Sequence, residues 1–381
     1  MITRRSLLAS GTVLPLAVHA APRSAQPPII SRIVVEAKRI WTPVTIGDAG
    51  PFAFILDTGA SISAIDTALA RRLNLSRIGR RRIRGIGGAA TFDVYVARNV
   101  VLGNGLRQSS SLFAGIDGRT NAGLLTGTLF TGSDCDLDFV RGEWRLWPTG
   151  RPDFAGLTPF GVIATRDGTP GNEIIVEATL DGRRLRLIVD TGAPGEVLLF
   201  PHVVRRTGLW SDTRPFAPQR LRGIGGTTAK LGRTVRATRL SIAGFDFDRP
   251  LVGLHDPSDS LDEAYDGLLG LSVIERLDLS TEVRRSRLWA RANGRTKPSE
   301  DYGYAGLWLD RLADARARVA VVSPGSPAAE AGLKDGDILT GVEDWRTYLR
   351  RFEGLPGEVA DVVVAGATGP ESRRVILRAY L

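Results

Sequence analysis

Apolar residues along this chain alternate with polar ones or run in short blocks, and the blocks have the length of strands. Ile174-Ile-Val-Glu-Ala-Thr-Leu180, then Asp181-Gly182, then residues 183–189 predict a hairpin. Asp-Gly suits the two-residue turn whose twist matches that of the strands it joins. Residues 41–46 and 52–56 repeat this plan earlier, around a turn near Gly47-Asp48-Ala49-Gly50. Each return strand stays apolar to its end, which predicts burial, and an Asp-Thr-Gly follows on a loop. One short helix per half is expected, over residues 70–75 and 204–209, where paired arginines sit among apolar positions. The pattern reads as mainly β, with two small barrel-like lobes.

The lobes are expected to be copies of one another. Phe52-Ala-Phe-Ile-Leu-Asp57-Thr-Gly-Ala60 recurs as Leu185-Arg-Leu-Ile-Val-Asp190-Thr-Gly-Ala193. Arg84-Gly85-Ile86-Gly87-Gly88 returns as Arg222-Gly223-Ile224-Gly225-Gly226, and Gly123-Leu124-Leu125 as Gly267-Leu268-Leu269-Gly270. The halves close alike, on Arg145-Leu146-Trp147 and Arg287-Leu288-Trp289. Matched elements in one order indicate duplication. After about residue 295 the pattern changes. Thr296-Lys-Pro-Ser-Glu300 reads as a linker, and the remainder as a third unit with a short helix over 328–331 stopped by Gly332. The expected organisation is an export signal over 1–21, lobe 1 over 22–150, lobe 2 over 151–295 and the third unit over 296–381.

Composition narrows the chemistry. The chain has 381 residues, too many for one average domain, and a formal charge of +9. Its arginines are scattered in pairs through the whole length, so no nucleic-acid partner is expected. One cysteine allows no intrachain disulfide. Of three histidines, His202 and His255 have no His or Cys at ligand spacing, so neither a structural zinc site nor any cofactor is expected. At the N-terminus, Arg4-Arg5 before a short apolar run and Val18-His19-Ala20 reads as a cleavable export signal, similar to a twin-arginine signal. The expectation is a periplasmic or secreted protein with no stable membrane span once the signal is removed.

Two carboxylates placed together by duplication can hydrolyse a peptide. They cannot both ionise cheaply, so they share one proton. The ionised partner takes a proton from water, and the protonated one polarises the scissile carbonyl. Asp57 and Asp190 are therefore the candidate catalytic pair, treated as a pair rather than as fixed acid and base. Gly59 and Gly192 let the backbone pass close to the carboxylates. Thr58 and Thr191 can bond across the interface.

These loops resemble the active-site loops of retropepsin-like aspartic proteases, and Leu268-Leu269-Gly270 resembles the family's second signature. In the first half Leu124-Leu125 is followed by Thr126, which departs from that pattern. The resemblance covers roughly residues 30–295. It implies two pseudo-symmetric β-barrel lobes fused in one chain, active as a monomer. It also implies flaps whose tips, Gly85, Ile86, Gly87 and Gly88 with Gly223, Ile224, Gly225 and Gly226, contact a peptide or unfolded protein substrate. Alanine after both glycines resembles retroviral enzymes and implies a mildly acidic to near-neutral optimum. With the run Ser323-Pro-Gly-Ser-Pro-Ala-Ala-Glu-Ala-Gly332-Leu-Lys-Asp-Gly336-Asp-Ile-Leu339, residues 300–381 resemble a bacterial PDZ domain, a small α+β fold. Its expected carboxylate loop is Tyr304, Ala305, Gly306 and Leu307, beside a strand that can accept a C-terminal peptide. A peptide-binding pseudo-peptidase and, further off, a glycosidase with two carboxylates stay open as alternatives.

Overall fold

The structure is a computed structural model, and it describes residues 26–381 except 104, 119–120, 166–171, 262–263 and 301. The expected export signal lies outside the described residues. Six strands form the seam between the halves, in the order Ile29–Arg32, Glu143–Trp147, Asp134–Asp138, Leu277–Glu282, Arg287–Ala292 and Thr158–Thr165. Three come from each half. The central pair is antiparallel, with Asp136 opposite Ser280 and Leu137 opposite Leu279.

In lobe 1 a sheet closes on itself, because Arg39–Ile46 pairs with Ala49–Asp57 on one side and with Gly88–Leu102 on the other. The turn joining the first two strands is only Gly47-Asp48, tighter than the four-residue turn expected. Ala49–Asp57 runs parallel to Gly123–Thr126, placing Asp57 opposite Thr126. Lobe 2 repeats this with Arg183–Asp190 parallel to Gly267–Gly270, Asp190 opposite Gly270. Each aspartate is thus the last residue of its strand rather than the first beyond it. Phe54, Leu56, Leu187 and Val189 are fully buried in one core that spans both lobes.

The helices depart from expectation in two ways. Those carrying the paired arginines are Thr67–Arg72 and Pro201–Thr207, earlier than the ranges expected. Asp66 caps the first by accepting from the Leu69 amide at 2.9 Å. The second begins at Pro201 and ends at Gly208, whose φ of +68° stops it. Each half also has a second helix, Thr128–Thr131 and Leu271–Ile274, of about one turn. So short a helix leaves no periodicity in a sequence.

The third unit is a five-stranded antiparallel sheet beginning with the edge strand Leu307–Arg311, and it has its own core around Val319, Tyr348 and Val362. Helix Pro327–Glu330, capped by Ser326, stands one residue earlier than expected, with Ala331 as its C-cap before Gly332, and a helix over Arg346–Phe352 joins it. This unit seats on lobe 2: the Phe216 amide donates to Ser323 Oγ at 2.8 Å and Tyr380 Oη donates to the Phe216 carbonyl at 3.0 Å. Among the described residues no helix is long and apolar enough to cross a membrane.

Candidate active site

Asp57 and Asp190 meet at the seam, close enough that each carboxyl shifts the pKa of the other. Reciprocal bonds hold the strands that carry them. Thr58 Oγ1 donates to the Val189 carbonyl at 2.6 Å and accepts from the Thr191 amide at 2.9 Å. Thr191 Oγ1 donates to the Leu56 carbonyl at 2.8 Å and accepts from the Thr58 amide at 3.0 Å. Both threonines are buried, so each hydroxyl satisfies two backbone groups that water does not reach. The glycines set how closely the loops approach. A Cβ on Gly59 would lie 2.5 Å from Asp190 Cγ, and one on Gly192 would collide with the Asp57 carboxyl. Any side chain at either position would push the carboxyls apart.

The pair is not symmetric electrically. Asp190 Oδ1 accepts from the amides of Gly192 at 2.8 Å and Ala193 at 3.1 Å, while Asp57 Oδ1 accepts from Gly59 at 3.1 Å. Burial raises the pKa of both carboxyls, and the charge of Asp190 raises that of Asp57 further. The amides favour the anion at Asp190, while the two carboxyls titrate as one pair. The guanidinium of Arg39, a residue the sequence reading did not single out, pulls both pKa values back down.

Thr126 stands opposite Asp57 where Gly270 stands opposite Asp190. In lobe 2 a Cβ at Gly270 would strike the Gly195 and Ala193 carbonyls. Lobe 1 has room for the threonine, and uses it: Thr126 Oγ1 donates to the Ala60 carbonyl at 2.6 Å, and the Thr126 amide donates to Ser63 Oγ at 3.1 Å. The departure from the repeat leaves the Asp57 loop bonded from beneath.

The glycine-rich hairpins meet tip to tip. The Gly87 amide donates to the Ile224 carbonyl at 3.2 Å. Each tip isoleucine crosses to the opposite lobe: Ile86 packs against the lobe 2 cluster that includes Ile188 and Leu268, and Ile224 against the lobe 1 cluster that includes Ile55 and Leu124. Gly85 and Gly223 admit this crossing, since their missing side chains would meet Ile224 and Ile86. Below the first tip, Arg80, Arg82 and Arg84 stand exposed on the strand Ser76–Gly85, and Arg77 and Arg80 pair with Asp93, so the arginine cluster is a solvated stem.

The loop Tyr304–Leu307 lies apart from the aspartates, in the third unit. Ala305 and Gly306 are buried, their carbonyls accepting from Ala328 and Ser323, and Tyr380 lies against Gly306. The neighbouring strand Leu307–Arg311 is an edge strand.

The aspartyl protease family matches residues 42–128 and again 176–273, and the PDZ domain family matches residues 318–365, a span that begins after the 304–307 loop. No curated protein matches this chain. Among solved structures, an aspartic proteinase from Irpex lacteus shares 15% identity over 70% of this chain and 98% of that one, with a TM-score of 0.44.

Proposed function

Because this chain carries a two-lobed retropepsin-like aspartic protease unit followed by a PDZ domain, we propose that it is an exported endopeptidase that cuts peptides or unfolded protein segments with Asp57 and Asp190. The reading is carried by the two buried carboxyls brought together at the seam by the Thr58–Thr191 bonds and the close approach of Gly59 and Gly192, where burial favours one proton on the pair. In the proposed reaction the ionised carboxyl draws a proton from a water held between the two. The hydroxide adds to the scissile carbonyl as the other carboxyl donates to the carbonyl oxygen. The first carboxyl then protonates the leaving amine while a hydroxyl of the tetrahedral species returns its proton to the second, so the C–N bond breaks and the pair again holds one proton. Neither Ala60 nor Ala193 offers a hydroxyl to stabilise the anions, and burial raises both pKa values, which supports an optimum nearer neutrality than that of a pair whose carboxyls accept from such hydroxyls.

In this reading the glycine-rich hairpins are flaps. They must part to admit substrate, because Ile86 and Ile224 now fill the apolar walls beside the aspartates, and they re-close to exclude water. The Leu307–Arg311 edge would recruit extended peptides by strand addition. Export follows from the Arg4-Arg5 signal, and is tested by fractionating cells that express the full chain and an Arg4→Lys/Arg5→Lys variant.

The deciding experiment incubates the purified protein with a diverse peptide mixture and follows cleavage by mass spectrometry. Asp57→Asn and Asp190→Asn are each expected to lower kcat by at least about a thousandfold, since neither variant keeps both an acid and a base, while circular dichroism stays native. Full activity in either variant refutes the reading. Peptide binding without cleavage by the unmodified protein would favour the pseudo-peptidase instead.

A further inference from the structure

A cavity of about 410 Å³ opens beside the Asp190 loop, bordered by Ala193, Pro194 and Gly195. Leu198 and Leu221 supply apolar wall, Leu221 lying just before the second flap tip. Lys38 and Arg39 come from lobe 1 to form one side, and linker residues 297–300 form another. The cavity therefore adjoins the reacting centre and combines both lobes with the linker.

Its charges are unequal. Two carboxylates line it, Glu196 and Glu300, and each is bound by two cations. Glu196 pairs with Arg276 at 3.0 Å and Lys297 at 3.0 Å. Glu300 pairs with Lys297 at 2.8 Å and with Arg236. On the lobe 1 side, Arg39 has no carboxylate within salt-bridge distance among the described residues, and its side chain donates to the Lys38 carbonyl at 3.0 Å. The aspartate pair lies within its field, and the guanidinium has further N–H donors beyond the one given to the Lys38 carbonyl.

The backbone presents these side chains at a cost. Val34–Glu36 and Arg39–Ile46 are joined by Ala37-Lys38, with φ of +48° and +55°. Such turns favour Asn-Gly. The Asp181-Gly182 turn uses that chemistry, with φ of +47° and +81°. Ala-Lys strains the turn and puts a cation at the cavity's edge.

We propose that this cavity is a specificity subsite that takes an acidic side chain of the substrate near the scissile bond, with Arg39 as its charge partner. The inference rests on the peptidase reading above. An extended substrate passing from the aspartates along residues 193–198 would lay a side chain into the cavity, where an aspartate or glutamate meets an unpaired guanidinium and a neutral side chain does not.

The test takes a neutral peptide that the protein cleaves and places Asp, Asn, Glu, Gln or Lys at each flanking position in turn. At one position Asp or Glu should raise kcat/KM about tenfold or more over Asn or Gln, the size of one charge-assisted hydrogen bond. Arg39→Ala should bring that ratio close to one, Arg39→Lys should keep part of it, and Arg39→Glu should turn the preference toward Lys. Lys38→Gly should raise the melting temperature while lowering the ratio. Versions with a reduced scissile amide, titrated onto the Asp57→Asn protein by fluorescence anisotropy, read the same preference without turnover. Equal values for Asp and Asn at every position, or a ratio unchanged in both Arg39→Ala and Arg39→Glu, would overturn the subsite. Continued cleavage of the neutral parent in that case leaves the peptidase reading standing, and acidic preference in binding without any cleavage separates the two the other way.

Discussion

Single residues set the electrical character of this protein, and His255 is the sharpest case outside the site. It is 1% exposed, stacks edge-on to Phe200, and neither ring nitrogen has a hydrogen-bond partner. The nearest carboxylate, Asp259, is 3.9 Å away, too far for a hydrogen bond. Burial without a partner pushes the imidazole pKa down to about 4. In the unfolded chain it titrates near 6.5, so between those values the unfolded state binds more protons. Stability should therefore fall as pH drops through that window, by up to about 3 kcal/mol from this group. Urea melts at pH 7 and pH 4.5 should show the loss, and His255→Leu should remove most of it. The active-site carboxyls act in the opposite sense. Their raised pKa values mean the native state holds a proton more tightly, a contribution present at low pH and lost as pH rises through the folded values. Of these groups the aspartates were legible from their repeated context. His255 was not, because a histidine's burial is set by which strands close over it.

Elements are joined at the seam by bonds that only a paired fold can make. Thr58 and Thr191 look like ordinary loop residues in sequence, although their duplication suggested a cross-interface role. Each in fact bonds the final turn of the other half's strand. Thr58→Val keeps the shape but leaves the Thr191 amide and the Val189 carbonyl buried and unpaired. A loss of about 2–5 kcal/mol is expected, read from the denaturation midpoint, and Thr58→Ser should restore most of it. Helix positions were legible only approximately, since Asp66 and Pro201 set the starts by capping rather than by periodicity. The one-turn helices were not legible at all. Thr126 shows the limit of reading a repeat: its mismatch with Gly270 is resolved by a hydroxyl that bonds Ala60.

At the scale of the molecule, the linker between lobe 2 and the third unit is an ordered wall. Arg236 grips Glu300 through both carboxylate oxygens and also donates to the Leu381 and Arg249 carbonyls. The Arg236 guanidinium and Lys297 hold the Glu300 pKa down to about 2. That contribution is present above the usual glutamate range and is lost as pH falls through the folded value. Arg236→Ala is expected to cost about 1–3 kcal/mol, the range for hydrogen bonds to a charged group in a partly exposed setting. Amide exchange should quicken at residues 297–304 and 378–381 while the lobe cores stay protected. What the chain's own order of residues determined was strand pairing within each half, the duplication, the two aspartates and the presence of a third unit, because these depend on local alternation and on motifs a few residues long. What only the tertiary structure decided was the meeting of the two carboxyls, the crossing of the glycine-rich hairpin tips and the cavity formed by Arg39, the 193–198 loop and the linker. Those depend on which distant groups share a low-dielectric space, and distances across a seam are not written in the spacing along a chain.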